Sequence, residues 1–184
     1  VGLFVIIFSE SGLFLGFFLP GDSLLFTMGF LASQGVLDVG TLAFTAFLGA
    51  LLGDNFGYAF GNRVGPALFT RKDSLIFHKD HLERAQLFYE KHGGKTIVLA
   101  RFMPIIRTFA PILAGVGRMK YATFLVYNLV GAILWGIGVP LLGYYLGNTV
   151  PHIDRYITLI VAFIIFSSIA PPLFHLMRSK RDKA

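Results

Sequence analysis

Residues 96–117 read TIVLARFMPIIRTFAPILAGVG, an apolar stretch long enough to enter a bilayer but interrupted from within. Arg101 and Arg107 place two charges in it, and Pro104 and Pro111 each remove a helical hydrogen bond. A regular spanning helix consists of about 20 predominantly apolar residues and rarely carries such charges. The stretch is therefore predicted to be a broken helical segment whose two halves meet inside the membrane.

The composition of the whole chain excludes most soluble classes of protein. Of its 184 residues 55% are hydrophobic and 14% are charged, whereas a soluble domain carries about 25% charged residues. There is no cysteine, so disulfides, thiol catalysis and sulfur-ligated zinc sites are excluded. Basic residues separate long apolar runs instead of covering a polar surface, which argues against a nucleic-acid partner. The composition predicts a multi-pass integral membrane protein, and the absence of a nucleophile or phosphate-loop motif argues against an enzyme.

The basic residues also predict the topology of the chain. They concentrate in three places that the positive-inside rule assigns to the cytoplasmic side: residues 62–95, residues 118–120 and the tail 178–184. Because such residues both precede and follow 96–117, this segment must enter and leave the membrane on the same side, as a re-entrant hairpin. A span at about 124–147 and a last span at 156–177 then carry the chain out and back, with a cytoplasmic C-terminus.

A second broken segment precedes a span in the first half of the chain. Residues 10–37 are apolar but are interrupted by three consecutive residues, Pro20, Gly21 and Asp22. They fit a hairpin that enters from the outside, followed by a span at about 41–61. Residues 62–95 have apolar positions at near-helical spacing and are expected to form an interfacial amphipathic helix. The apolar residues that follow Val1 are expected to be the end of a first helix whose start is missing.

An internal repeat relates the half formed by residues 1–61 to the half formed by residues 96–147. Two motifs recur: Phe18-Leu19-Pro20 as Phe102-Met103-Pro104, and Gly57-Tyr58-x-x-Gly61-Asn62 as Gly143-Tyr144-x-x-Gly147-Asn148. Each half is predicted to be a broken hairpin followed by a span, and the two hairpins have opposite orientations. Inverted repeats with broken helices build the mid-membrane binding site of many transporters. The predicted fold is thus an all-α integral membrane domain, residues 1–184, with two opposed re-entrant hairpins.

Five ionisable side chains lie where the bilayer is predicted: Glu10, Asp22, Asp54, Arg101 and Arg107. Each costs on the order of 2.5–3.5 kcal/mol at the centre of a spanning helix, so they must be paired or hydrated. Arginine forks match phosphate oxygens bidentately, so Arg101 and Arg107 are predicted to bind an anionic headgroup. Glu10 and Asp22 are predicted to pair with them or to couple transport to protons. The alternative is that these ions only hold the hairpins together, and Asp54 is interpreted as a helix-packing residue.

The same residues resemble the signature of the DedA family of membrane proteins, also called the SNARE-associated or VTT-domain family. The matching motifs cover essentially the whole chain: Glu10 with Pro20-Gly21-Asp22, Gly53-Asp54-x-x-Gly57-Tyr58-x-x-Gly61, Arg101-Phe102-x-Pro104-x-x-Arg107, Ala114-Gly115, Met119, Phe124, Asn128, Gly131 and Trp135. The resemblance implies two opposed hairpins and transport of a lipid such as undecaprenyl phosphate across the inner (cytoplasmic) membrane, dependent on the proton motive force. It implies essential roles for Glu10, Asp22, Arg101 and Arg107.

The sequence therefore predicts a flippase-like transporter of a phosphate-bearing lipid, a polyprenyl phosphate or a phospholipid. Asp54, Asn128 and Arg118 are secondary site candidates. A scramblase or a flippase of another headgroup is the first alternative, and a proton/cation antiporter is the second. A lipid phosphatase and an assembly scaffold are further rivals that activity assays would distinguish. Neither a metal nor a cofactor is expected, and a homodimer is left open.

Overall fold

The computed structural model of the chain describes residues 1–12, 21–69 and 93–149. Within these ranges all regular structure is helical, which confirms the predicted all-α class. The described elements, in chain order, are α1 (Gly2–Gly12), α2 (Gly21–Ser33), α3 (Val39–Phe69), α4 (Lys95–Ala100), α5 (Pro104–Val116), α6 (Tyr121–Ala132), a π-helical segment (Ile133–Ile137) and α7 (Gly138–Thr149).

Several predicted features lie outside the described residues. They include the last span 156–177, the basic tail 178–184 and the interruption at Pro20. Most of the predicted amphipathic segment 62–95 lies outside as well, although its first residues continue α3 as far as Phe69. Three further features stay predictions: the re-entrant course of both hairpins, the inverted repeat and the single-domain organisation.

Within the described residues, two helical stretches are long and apolar enough to cross a membrane. Val39–Val64 of α3 has 26 residues, and Tyr121–Thr149, which joins α6, the π-helical segment and α7, has 29. At 1.5 Å per residue both exceed the roughly 30 Å of a hydrocarbon core. Of their apolar windows only 39% and 33% are buried, and the side chains of Phe44 and Val126 are more than half exposed. Apolar surface that faces outward suits a lipid environment rather than a soluble core.

The broken segment at residues 96–117 has its interruption between α4 and α5. The helix α4 ends at Ala100, Met103 is extended (φ −115°, ψ 106°), and Pro104 is the first residue of α5. The residue before a proline is pushed out of the helical region, whereas proline in the first helical position sacrifices no hydrogen bond. The prediction that Pro111 also breaks the segment is wrong, because α5 continues through it to Val116. Its ring is fully buried, so packing offsets the one backbone hydrogen bond that proline removes.

The described helices form two compact units, and the first of them carries the candidate site. Its described residues belong to Val1–Leu19 and Ala43–Gly138. The backbones of α1 and α3 approach closely here, since a Cβ added at Gly53 would lie 2.8 Å from a carbonyl oxygen of α1. Beside this contact, Tyr58 and Phe124 stack with ring centroids 4.5 Å apart in a buried cluster. These contacts bring α1, α3, α5 and α6 around one core.

The second unit is built on a contact between α2 and α7. Its described residues belong to Pro20–Leu42 and Val139–Ala184. Gly29 of α2 lies directly against the backbone of Pro140, and Gly143 of α7 lies against the backbone of α2. A side chain at either glycine would collide with backbone atoms, so small residues are what permits this close helix packing.

Candidate functional site

The interruption between α4 and α5 positions both arginines of the broken segment. Arg101 lies in the turn that follows α4, where its backbone N–H donates to the carbonyl oxygen of Val98 at 3.3 Å. Arg107 lies one turn into α5, and its N–H donates to the carbonyl oxygen of Met103 at 2.9 Å. Both side chains are buried, with 3% and 5% of the residue exposed. The break thus brings two guanidinium groups into the interior of the first unit.

Arg101 forms a buried ion pair with Asp54 of α3. Its Nη2 donates to Oδ2 of Asp54 and also to Oδ1 of Asn128, the latter at 2.6 Å. The amide of Asn128 in turn donates to the carbonyl oxygen of Leu51 at 3.2 Å. Gly131 leaves room for this arrangement, because a Cβ there would lie 3.1 Å from Nε of Arg101. The charge of Arg101 is therefore compensated by one carboxylate and one amide oxygen.

Arg107 is held between an acid and an aromatic ring. Its Nη2 lies 3.5 Å from Oε1 of Glu10, which is near the end of α1. Its Cζ lies 4.0 Å from the ring centroid of Trp135, a cation–π contact with a side chain that is 2% exposed. Trp135 belongs to the π-helical segment, a local geometry that is frequent at functional sites.

Both arginines and Asp54 line a small cavity in the first unit. Its volume is about 10 Å³, and its lining residues are Ser11, Asp54, Ile97, Arg101, Arg107, Ala110 and Pro111. This is room for about one water molecule, far less than a phosphate group needs. Nη1 of Arg101 is buried and has no hydrogen-bond acceptor among the described residues, so this arginine retains unused donor capacity. A larger anion could enter only if the carboxylates moved away.

The structure thus brings together five residues that the sequence singled out: Glu10, Asp54, Arg101, Arg107 and Asn128. Asp54, which the sequence suggested as a helix-packing residue, is the direct partner of Arg101. Trp135 enters the sequence analysis only as a residue of the family motif, and no sequence pattern there predicts its contact with Arg107. The signal that could have found Asp54 is the cost of burying a lone carboxylate in a spanning helix.

Other predicted site residues lie elsewhere. Gly21 is the first residue of α2, and Asp22 lies in its first turn with an exposed side chain, in the second unit. Arg118 is exposed in the turn after α5, where its φ of 51° places it in the left-handed region. Pro104 begins α5, as the position of the predicted interruption requires. The roles of these residues in binding or coupling stay predictions.

Comparison with known proteins places the chain in a family. The VTT domain family model matches residues 19–149. The chain is 45% identical to Protein DedA of Escherichia coli (strain K12), over 99% of this chain and 84% of that protein. It is 44% identical to an uncharacterized membrane protein of Mycobacterium leprae (strain TN), over 98% and 80% of the two chains. It is 33% identical to Inner membrane protein YqjA of Escherichia coli (strain K12), over 80% and 67%. No solved structure matches the chain. The chain belongs to the VTT-domain (DedA) family of membrane proteins.

Proposed function

We propose that this protein moves a phosphate-bearing lipid across the cytoplasmic membrane, with Arg101 and Arg107 binding the headgroup. The observation that carries the proposal is the pair of buried arginines on one cavity inside an apolar helical unit. Planar guanidinium forks match phosphate oxygens in pairs of parallel hydrogen bonds. A purely structural role would need no second arginine at the same cavity, since each one adds a desolvation cost.

The two carboxylates act as exchangeable counter-ions in this proposal. With Glu10 and Asp54 ionised, the cluster of two acids and two arginines has no net charge. A phosphate monoester brings a charge of about −2, so its entry is favoured if the acids take up protons or leave the cavity. Because the cavity has room for about one water, the headgroup must displace the acids from the guanidinium groups. In this proposal the displaced acids take up protons, which couples headgroup binding to proton uptake.

The inner-membrane location and the alternating cycle are further parts of the proposal. The name of the relative YqjA, an inner membrane protein, supports the location. The predicted inverted repeat would let two opposed hairpins open the site to each face in turn. Asp22 is assigned the same exchange role as Glu10 on the basis of the family motif. The substrate is proposed to be a polyprenyl phosphate, specifically undecaprenyl phosphate. The transporting protein is proposed to be a monomer or a homodimer.

A reconstituted transport assay tests the proposal. Full-length protein in liposomes is given undecaprenyl phosphate, and the fraction of headgroups that reaches the opposite leaflet is followed with and without a proton gradient. Arg101→Gln and Arg107→Gln are each expected to slow transport at least about tenfold, because each removes a charge-assisted contact to the phosphate. Lys95→Gln removes an exposed charge away from the cavity and serves as the matched control.

Unchanged transport in both arginine variants would overturn the proposal, provided that size-exclusion profiles show folded protein. The buried carboxylates also suit a proton/cation antiporter, so cation flux is measured in liposomes that contain no polyprenyl phosphate. Flux there, together with no lipid movement, would establish the antiporter instead. Release of inorganic phosphate from the lipid would indicate a phosphatase.

A further inference from the structure

A second and larger cavity lies on the first unit, apart from the one that the arginines line. Its volume is about 390 Å³, and its lining residues are Asn55, Tyr58, Ala59, Asn62, Arg63 and Tyr121. A volume of this size lies within the range of small-molecule binding sites, which is roughly 300–1,000 Å³. None of its lining residues also lines the central cavity. The cavity is therefore a separate candidate for a ligand.

All the lining residues except Tyr121 of α6 form one stripe along a face of α3, and this stripe is polar apart from Ala59. Asn55 and Ala59 are four residues apart, Arg63 follows at the same interval, and Tyr58 and Asn62 form the adjoining row. Residues at intervals of three and four lie above one another on a helix. The stripe carries one cation and no carboxylate, so its electrostatic field favours an anion. Within residues 1–12, 21–69 and 93–149 the guanidinium of Arg63 has no ion-pair partner.

Hydrogen bonds and ring contacts hold the wall of this cavity in place. The hydroxyl of Tyr121 donates to Oδ1 of Asn55 at 2.9 Å, and the hydroxyl of Tyr58 donates to the carbonyl oxygen of Met119 at 2.5 Å. The rings of the two tyrosines lie 5.5 Å apart. A wall fixed in this way needs little reordering when a ligand binds, which favours affinity.

An exposed apolar stripe runs beside the polar one on the same helix. Leu52, Phe56 and Phe60 follow one another at intervals of four residues, and each is between 42% and 47% exposed. At 100° per residue this stripe lies about 60° around the helix from Asn55 and Ala59. A lipid could place its headgroup in the cavity and its chain along the apolar stripe, whereas free phosphate would use the cavity alone.

We propose that this cavity is a second binding site, for the phosphate headgroup of an anionic lipid. Arg63 supplies the charge, the amide of Asn62 donates hydrogen bonds, and Leu52, Phe56 and Phe60 contact the chain. Arg63 lies about 13.5 Å, or two and a half helical turns, along α3 from Asp54, the partner of Arg101. A headgroup held by Arg63 can wait there before it enters the central site. The ligand class rests on the proposed function, but binding here does not require transport.

Binding measurements on the full chain in detergent test this site. Three probes are titrated and counted by native mass spectrometry: dioctanoyl phosphatidic acid, dioctanoylglycerol without phosphate, and inorganic phosphate. Phosphatidic acid is expected to bind at two sites, and Arg63→Gln is expected to weaken one of them at least about tenfold. Asn62→Ala should weaken the same site by less. Lys95→Gln, which removes an exposed charge outside the cavity, should change neither site.

The outcomes separate this site from the central one. The proposal would be overturned if Arg63→Gln still binds phosphatidic acid at two sites with unchanged affinity. It would also be overturned if Arg107→Gln alone abolishes binding of phosphatidic acid at both sites. Equal affinity for inorganic phosphate and phosphatidic acid would overturn the lipid assignment. If Arg101→Gln and Arg107→Gln transport normally while Arg63→Gln still weakens binding, the transport function fails and the second site stands.

Discussion

Removing the counter-charge of Arg101 is the most direct test of how the central site is built. The side chains of Arg101 and Asp54 are 3% and 7% exposed, so Asp54→Asn leaves a buried guanidinium without its carboxylate. Breaking a buried pair in this way costs about 3–5 kcal/mol. Asn128 still accepts a hydrogen bond from Nη2, and bonds to charged groups contribute roughly 1.5–3 kcal/mol. The expected loss of unfolding free energy is therefore near the lower limit, about 3 kcal/mol.

A double-mutant cycle separates this ion pair from other effects of the substitutions. Combining Asp54→Asn with Arg101→Gln removes both charges, so the double variant should recover much of the loss, with a coupling energy of about 2 kcal/mol. Unfolding in mixed micelles is followed by the fluorescence of Trp135, the one tryptophan of the chain, which is 2% exposed. Asp38 is the control, since it is exposed at the start of α3. The effects of Asp38→Asn and Arg101→Gln should add.

One result would refute this reasoning. If Asp54→Asn lowers the unfolding free energy by less than about 1 kcal/mol and shows no coupling to Arg101→Gln, the two side chains are not paired in the interior. The central cavity would then not be closed by exchangeable counter-ions, and the proposed coupling between headgroup and proton would lose its basis.

Two further predictions concern the packing around the ion pairs. Asn128→Leu removes the amide oxygen that Arg101 contacts and should lower the free energy of unfolding in micelles by about 1–3 kcal/mol. Asn148→Ala, at an exposed position, should lower it much less. Gly53→Ala would place a Cβ 2.8 Å from a backbone oxygen of α1 and should cost about 1–3 kcal/mol, whereas Gly138→Ala meets no atom within 4 Å and should not destabilise. Equal thermal stability of the two glycine variants would contradict the close contact of α1 with α3.

The helical fold class and the two spans could be predicted because they depend on local properties. An apolar run of about 20 residues must satisfy its own backbone groups in lipid, and a helix is how a single segment does so. The predicted spans 41–61 and 124–147 accordingly lie within Val39–Val64 and Tyr121–Thr149. Their ends differ because polar residues such as Asn62 can continue a helix beyond the apolar core. Family membership was predicted from motif spacing, and the comparisons confirm it.

The positions of the prolines predicted the helix breaks within the segment 96–117 less reliably. Pro104 begins a helix, whereas Pro111 lies within one, although both stand in the same apolar stretch. At the first helical position Pro104 sacrifices no hydrogen bond, whereas Pro111 inside the helix removes one, and burial of its ring offsets that loss. Such burial depends on neighbours that are distant in sequence, so a local pattern could not separate the two cases.

By itself, the amino-acid sequence determined that this is a helical membrane protein of the VTT-domain family with acids and arginines in its apolar segments. Those properties follow from composition, run length and motif spacing. Only the tertiary structure decided that Asp54 pairs with Arg101 and that Arg107 lies between Glu10 and Trp135. It also decided that the cavity lined by both arginines has room for about one water. Pairing depends on how each helix is rotated and how closely its neighbours approach, and one residue turns a helical side chain by 100°.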